Sequence, residues 1–123
     1  EVPAVKLYED DDTLAFLDIH PNHRGHALVI PKHHFENVYG LPAETVCRLA
    51  LTSQKLAVAI KNAVDADGIN IVMNNESAAG QIIWHSHTHI IPRKNEDGGY
   101  LGAKYTYVAG EMEEIAEKVK KEL

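Results

Sequence analysis

The sequence predicts an α+β fold in which a five-stranded antiparallel sheet carries one long helix and a C-terminal helix. Apolar segments of strand length occur in blocks instead of alternating regularly with helices, which favours an antiparallel sheet. One long segment repeats apolar residues every three or four positions, as an amphipathic helix does. The 123 residues, 45% of them hydrophobic, suffice for one core. We therefore expect a single domain over residues 1–123.

Short apolar runs bounded by turn residues predict the strands. Their expected ranges, in chain order, are 5–8, 14–19, 26–30, 69–74 and 81–92. Pro31 ends the third strand, because proline lacks the N–H that a ladder needs. Turn-type residues 20–25 join the second strand to the third, so we expect these two strands to be antiparallel neighbours.

Two segments show helical periodicity. The long helix is expected to begin near Pro42 and to end between Asp65 and Gly68, where the glycine would supply a left-handed stop. Its predicted apolar face consists of Val46, Leu49, Ser53, Leu56, Ile60 and Val64. The second helix is expected over residues 111–123, inside a C-terminal extension that covers about residues 93–123.

Composition and charge exclude several classes of protein. Eighteen acids against twelve lysines and arginines give a net charge of −6, whereas proteins that bind duplex nucleic acid are basic. No apolar run approaches the ~18 residues of a membrane-spanning helix. Because the single cysteine, Cys47, forms no internal disulfide and no signal peptide is visible, we expect a cytoplasmic protein. The chain opens at Glu1 without a methionine, which predicts a further segment upstream.

The chain has eight histidines, and they form two clusters. The first cluster consists of His20, His23, His26, His33 and His34, and the second of His85, His87 and His89. Alternate residues of a strand face the same side, so the second cluster is expected to place three imidazoles in a row. Histidine is the usual base, nucleophile and metal ligand near neutral pH. We therefore expect the functional site at these histidines.

Three kinds of site fit a row of histidines: a solvated polar face, a metal site and a nucleophilic site. In a strand the Cα atoms of His85 and His89 would lie about 13 Å apart, too far for both to reach one zinc ion. A metal would therefore need ligands from the first cluster. A neutral imidazole can instead attack phosphorus. Because Gly80 has no side chain, the backbone N–H groups of its turn can approach a phosphate. The side-chain amides of Asn74 and Asn75 can donate to it as well.

The segment GQIIWHSHTHII, residues 80–91, resembles the signature of the histidine triad (HIT) family. The resemblance continues upstream in residues 8–19 and in the segment GHALVIPK, residues 25–32. It therefore covers about residues 3–93. It implies a HIT-like fold and a two-fold homodimer whose sheets join, with the long helix and the strand near residues 69–74 as the contact.

The resemblance also implies an enzyme. Family members bind a nucleotide, usually a purine nucleotide such as AMP, and cleave at its α-phosphate through a nucleotidyl-histidine. By correspondence, His87 is the nucleophile and His89 contacts the phosphate, while His85 orients the triad and His26 supports it. The implied nucleotide-binding residues are Phe16 and Ile19 at the base, Asp18 at the ribose hydroxyls, and Asn75, Gly80 and Gln81 at the phosphate, with Asn74 as the alternative to Asn75.

The sequence departs from the family pattern at Ile82, where a serine or threonine is common. That hydroxyl helps to protonate the leaving group, and a general acid contributes ~10²–10⁴ in rate. Cleavage of phosphoramidates with a poor amine leaving group is therefore in doubt, whereas a polyphosphate leaving group is less affected. The C-terminal extension keeps dinucleoside polyphosphate hydrolysis open as an alternative. A non-catalytic nucleotide-binding regulator and a zinc-dependent hydrolase are further alternatives.

The resemblance predicts no required cofactor and no catalytic metal. Relatives carry a helical segment before the equivalent of residues 2–3, and in some bacterial members a cysteine pair there binds structural zinc. A structural zinc is therefore expected only if an upstream segment supplies ligands, with His33 or His34 as a further ligand. Trp84 is expected to point away from the triad, into the core or a dimer interface.

Overall fold

The structure, a computed structural model, describes residues 4–99 and 104–123. The strands are β1 (Lys6–Glu9), β2 (Thr13–Leu17), β3 (Ala27–Pro31), β4 (Gly68–Val72) and β5 (Thr88–Arg93). They form one sheet in the order β1-β2-β3-β5-β4, and all neighbouring strands are antiparallel. The helices are α1 (Ala43–Ala63) and α2 (Glu111–Glu122). The predicted α+β fold with a five-stranded antiparallel sheet, a long helix and a C-terminal helix is therefore confirmed.

The core lies between the sheet and α1, and strand periodicity decides which side chains enter it. In β2, Thr13, Ala15 and Leu17 are buried, whereas Leu14 and Phe16 are only partly covered. Helix α1 contacts strands β2 to β5, and α2 packs against α1 and β1. Because Phe16 belongs to the alternate set of β2 residues, its side chain and that of Asp18 lie on the sheet face opposite to α1.

The end of α1 differs from the prediction. Gly68 begins β4, and it is Asp65 that adopts the left-handed conformation, with φ of 55°. The N–H of Ala66 donates to the carbonyl of Lys61 at 2.9 Å, which is the 6→1 hydrogen bond of a Schellman motif at a helix C-terminus. An aspartate tolerates this conformation, so no glycine is needed there.

Within residues 4–99 and 104–123, no helix has the length and hydropathy that crossing a bilayer requires.

The fifth strand is shorter than predicted, because residues 81–87 are not part of the sheet. Their hydrogen bonds go instead to the segment after β3. The side-chain amide of Gln81 donates to the carbonyl of Glu36 at 2.5 Å, and the N–H of Ser86 donates to the carbonyl of Phe35 at 2.6 Å. The expected row of three strand histidines is therefore wrong, since only His89 lies in β5.

Candidate active site

The site forms across the neighbouring strands β2, β3 and β5, on the face opposite to α1. His26 directly precedes β3, and His89 in β5 pairs with Leu28. Nε2 of His26 lies 2.9 Å from Nδ1 of His89, and the rings of His89 and His87 have centroids 5.0 Å apart. The carboxylate of Asp18 lies 3.5 Å from Nε2 of His26. These contacts make a continuous row, Asp18–His26–His89–His87, which we call the histidine row.

Hydrogen bonds fix the tautomers of the first two imidazoles in the row. The backbone N–H of Asn22 donates to Nδ1 of His26 at 3.0 Å, so Nδ1 must be unprotonated. The proton of the neutral His26 ring is then on Nε2 and is donated to Nδ1 of His89. Nδ1 of His89 therefore accepts this hydrogen bond, and the ring proton of neutral His89 is on Nε2. This leaves His89 with an N–H that can donate to a ligand.

Burial keeps these two rings neutral near pH 7. His26 is only 1% exposed, and burial lowers its pKa from 6.5 to about 4. The Asp18 carboxylate acts in the opposite direction, but burial outweighs it, and the neighbouring His89, His23 and Lys104 lower the pKa further. Burial, and next the His87 ring, also lower the pKa of His89. The neutral tautomers are therefore the forms present at neutral pH.

His87 is oriented by the backbone. Its Nδ1 lies 2.8 Å from the carbonyl oxygen of His85. A carbonyl only accepts, so Nδ1 carries the proton and the lone pair of the neutral ring is on Nε2. Within residues 4–99 and 104–123, no group forms a hydrogen bond with Nε2. His87 therefore presents an unoccupied nitrogen lone pair next to the donor Nε2–H of His89.

His85 lies outside the histidine row. Its Nε2 donates to the carbonyl of Pro31 at 2.9 Å, and its Nδ1 lies 3.1 Å from Nδ1 of His34. The two rings have centroids 5.1 Å apart. The side chain of His85 thus anchors the loop before β5 to the end of β3, while its carbonyl holds His87.

The side chains of Asn74 and Asn75, the two candidates for the phosphate contact, point in different directions. Gly80 has φ of 95°, and the side-chain nitrogen of Asn74 lies 3.7 Å from the point where a Cβ on Gly80 would stand. The side chain of Asn75 turns away, because its oxygen accepts from the N–H of Val38 at 2.8 Å. Asn74, the expected alternative, is therefore the asparagine that borders Gly80.

Gln81 is buried, and its side chain is occupied by the protein itself. Its amide nitrogen donates to the carbonyls of Glu36 and Ile83, at 2.5 and 3.0 Å. Its oxygen accepts from the N–H of Glu76 at 2.7 Å. Both amide hydrogens are used, so no side-chain hydrogen is left for a phosphate. We expect Gln81 to act by holding this loop in place.

Two of the predicted nucleoside residues, Asp18 and Ile19, lie at the other end of the row. One oxygen of Asp18 accepts from the N–H of His20 at 2.9 Å. Ile19, 47% exposed and next to Asp18 in the chain, lines a cavity of about 550 Å³. The cavity is also lined by His20, Pro21, Lys104, Tyr105, Thr106, Tyr107 and Met112. Phe16 lies on the same sheet face but does not line this cavity.

Sequence reasoning missed the contribution of the segment before α2. Tyr107 accepts a hydrogen bond from the N–H of Gly25 at 2.8 Å, and the N–H of Tyr105 donates to the carbonyl of Pro21 at 3.0 Å. These contacts secure the loop that carries Asn22, whose N–H sets the tautomer of His26. No motif marks them, although a pair of tyrosines in a polar segment is a weak signal of packing.

Comparison with known proteins identifies the family. The profile of the HIT domain matches residues 1–96. The chain belongs to the HIT family. The match ends before α2, so the expectation of one domain over residues 1–123 stays a prediction.

Solved structures show that this chain has the HIT fold. A HIT-like protein from Bartonella henselae superposes with a TM-score of 0.87 at 40% identity, covering 99% of this chain and 88% of that one. A zinc-bound histidine triad family protein from Mycobacterium smegmatis gives a TM-score of 0.84 at 37% identity, covering 98% and 84%.

Two curated HIT relatives carry names that state an activity. An Arabidopsis thaliana protein named adenylylsulfatase HINT3 is 43% identical over 79% of this chain, which matches 49% of that protein's length. The adenosine 5'-monophosphoramidase HNT1 of Candida albicans is 35% identical over 100% of this chain and 85% of its own length. This HIT protein therefore has relatives named as nucleotide hydrolases.

The donor set of the histidine row does not suit a metal ion. Asp18, His26 and His89 place one potential ligand atom each within 4.8 Å of one another. The tautomers oppose coordination, because the Asn22 N–H holds Nδ1 of His26 and leaves the proton on Nε2. A protonated ring nitrogen has no lone pair for zinc. His34 and His85, whose Nδ1 atoms face each other, could supply two of the four ligands of a structural zinc.

Proposed function

We propose that this HIT protein is a hydrolase or transferase that cleaves at the α-phosphate of a purine nucleotide conjugate, through a nucleotidyl intermediate on His87. The observation that carries the proposal is the free Nε2 lone pair of His87, fixed by the bond from Nδ1 to the His85 carbonyl. A neutral imidazole with its lone pair exposed is a nucleophile for phosphorus. The neighbouring His89 supplies an N–H at the place where phosphate charge develops.

The reaction proceeds in two displacements. Nε2 of His87 forms a bond to the α-phosphorus, and the bond from phosphorus to the leaving group breaks, with the electron pair going to the leaving group. Nδ1 of His87 keeps its proton and its hydrogen bond to the His85 carbonyl oxygen, which stabilises the developing imidazolium. A water molecule, or another acceptor in a transferase, then forms a bond to phosphorus and loses its proton to solvent, while the P–N bond breaks and its electron pair returns to Nε2 of neutral His87.

The nucleotide would lie along the histidine row. Asp18 binds the ribose hydroxyls, and the base lies towards Ile19, where the cavity of about 550 Å³ opens. The phosphate lies at Gly80 and Asn74, and Gln81 contributes by shaping that loop. The names of HINT3 and HNT1 support an adenylate as the nucleotide.

The direct test is a turnover assay with trapping of the adduct. Wild-type protein, given a labelled adenosine 5'-phosphoramidate, adenylyl sulfate and an adenosine polyphosphate in turn, should release AMP from at least one of them. Quenching without acid should leave the label on His87. His87→Ala should still bind AMP but show no turnover. Turnover near wild type in His87→Ala, or label on another residue, would refute the proposal, and binding without any product would make the protein a regulator.

We also propose that the protein acts as a homodimer. Exposed apolar side chains of α1 and β4, among them Val46, Val58 and Ile71, border a groove of about 480 Å³. Strand β4 is the last strand of the sheet on that side, so its outer edge is available for pairing.

The cytoplasmic location expected from the lone cysteine stays a prediction, and cell fractionation would test it.

A further inference from the structure

A tight turn over residues 23–26 leads into β3 and ends at the first imidazole of the histidine row. The N–H of His26 donates to the carbonyl of His23 at 3.1 Å, which closes the turn. Arg24 has a negative φ and Gly25 has φ of 93°, the combination that a type II turn requires. Type I and type II turns differ in the orientation of their central peptide, and the N–H of that peptide belongs here to Gly25. Whatever accepts from this N–H therefore selects the conformation of the turn.

The acceptor is the phenol oxygen of Tyr107, 2.8 Å from the nitrogen of Gly25. Burial raises the pKa of Tyr107, so the phenol is neutral at physiological pH. Gly25 is buried, and without the phenol its N–H would lose its partner away from water, which is unfavourable. Tyr107 therefore stabilises the observed orientation of the central peptide.

The segment that carries Tyr107 is itself fixed to the turn. The N–H of Tyr105 donates to the carbonyl of Pro21 at 3.0 Å. One carboxylate oxygen of Glu111 accepts from Nε of Arg24 at 3.1 Å and from the phenol of Tyr105 at 2.6 Å. All of these tyrosine and glutamate contacts come from residues beyond 96, where the match to the HIT profile ends. A part of the chain outside the matched domain thus holds the turn next to the histidine row.

The turn controls the protons of two imidazoles together. Asn22 directly precedes the turn, and its N–H donates to Nδ1 of His26. One proton lies between Nε2 of His26 and Nδ1 of His89, so the two rings change tautomer together. If the Asn22 N–H moved away, the proton of His26 could occupy Nδ1, and His89 would then carry its proton on Nδ1 as well. Nε2 of His89 would present a lone pair instead of an N–H.

We infer that Tyr107 is a positioning residue of the site. By holding the central peptide of the turn, it aims the Asn22 N–H at His26 and so keeps the donor proton on Nε2 of His89. The carboxylate of Asp18, 3.5 Å from Nε2 of His26, favours the same tautomer, so loss of the phenol should shift the equilibrium without reversing it. The effect on the tautomers is a property of the folded chain, whereas the effect on turnover rests on the proposed function.

NMR of protein labelled with ¹⁵N at histidine measures the tautomers, because protonated and unprotonated ring nitrogens have well separated shifts. The spectrum of His26→Gln identifies the His26 signals. In Tyr107→Phe the two nitrogen shifts of His26 should move towards each other, and those of His89 should follow. Tyr105→Phe removes the same phenol from a neighbouring position, where it contacts Glu111 and not the turn backbone, and should keep the wild-type shifts. Unchanged His26 shifts in folded Tyr107→Phe, or equal changes in Tyr105→Phe, would overturn the inference.

Kinetics supply a second measurement, on whichever adenylate the wild type cleaves. Tyr107→Phe should lower kcat roughly 3- to 10-fold, the range that one neutral hydrogen bond supplies. KM should change little, because the phenyl ring still lines the cavity beside Ile19. Tyr8→Phe, which removes a phenol that donates to Asp10 at β1, is the control and should keep kcat. An unchanged kcat in Tyr107→Phe would overturn the positioning role.

The outcomes separate this inference from the proposed function. Shifted tautomers in Tyr107→Phe, in a protein whose wild type cleaves no adenylate, would uphold the inference and refute the proposed function. If Tyr107→Phe does not fold, the wild type decides. A Gly25 N–H that exchanges with solvent like an unprotected amide, or a protonated Nδ1 on His26, would overturn the inference. A protected N–H together with a protonated Nε2 would support it.

Discussion

At the scale of single residues, the proposed reaction requires His26 to stay neutral. Its Nδ1 accepts from the Asn22 backbone, and only the neutral ring can do so while Nε2 donates to His89. Protonation of His26 would turn Nδ1 into a donor facing another donor. The whole arrangement of protons along the row, and so the donor offered by His89, is therefore stable only above the pKa of His26.

This coupling predicts how stability depends on pH. The pKa of His26 falls from 6.5 to about 4 on folding, so between these values the unfolded chain binds a proton that the folded chain does not. The free energy of unfolding should therefore decrease as pH falls from 6.5 to 4, by up to about 3 kcal/mol, and should change little above 6.5. Urea unfolding at several pH values measures it. His26→Gln should show a shallower slope, and identical slopes would contradict the assignment.

Asp18 provides a second prediction at this scale. If its carboxylate accepts from both ribose hydroxyls, Asp18→Ala should lose about 1.5–3 kcal/mol of binding to ribonucleotides. KM should rise about tenfold or more for the ribonucleotide and much less for the 2'-deoxyribonucleotide. The ratio of the two KM values is the measurement, and the deoxy substrate is its own control. An unchanged ratio would place the ribose away from Asp18.

The sequence identifies the residues of the candidate active site better than it predicts their hydrogen-bond partners. Three histidines at a spacing of two, with the Gly-His segment before β3, identify His26, His87 and His89 of the row, but the pattern does not show that His85 lies outside it. The tautomers depend on a backbone N–H at Asn22 and a carbonyl at His85, and backbone groups leave no pattern in a sequence. Neighbouring asparagines are equally ambiguous, since both carry the same amide and only the fold shows that Asn74 borders Gly80.

At the scale of elements, the loop before β5 is held by one buried amide. Gln81 joins the backbone of three places, Glu36, Glu76 and Ile83. The hydrophobic pattern alone predicts that β5 begins at Gln81, because residues 82–84 are apolar and therefore resemble a buried strand. The structure shows those three side chains exposed, since hydrogen bonds to residues 35–36 replace the ladder. Strand ends of this kind depend on partners distant in sequence.

Removing this amide should loosen the loop. Gln81→Ala leaves two carbonyls and one N–H without their partner, and each buried polar group left unpaired costs about 1–3 kcal/mol. We expect a lower midpoint of urea unfolding and a larger loss of kcat than of nucleotide affinity, because His87 is positioned by the same loop. Ile82→Ala, in the same loop but exposed, should leave the midpoint within about 0.5 kcal/mol of wild type. Equal midpoints for the two variants would show that Gln81 does not hold the loop.

At the scale of the whole molecule, α1 has two apolar faces and only one of them meets the sheet. Leu49, Leu56 and Ile60 enter the core, as the periodicity predicts, whereas Val46 was expected with them and is exposed. Val46 instead continues a surface with Val58 and, across the groove, Ile71. A helix that is apolar on its outer side as well indicates a covered surface.

A second copy of the chain meets the geometric requirements of that surface. A two-fold axis beside β4 would pair the free edges of two sheets and would place the outer face of one α1 against the other. Light scattering at micromolar concentration should give about twice the chain mass of 13.6 kDa. Val58→Glu should convert the protein to a monomer, because two such carboxylates would be buried near the axis without partners. Val108→Glu, which adds the same charge at an exposed site before α2, should stay dimeric, and a monomeric wild type would refute this assembly.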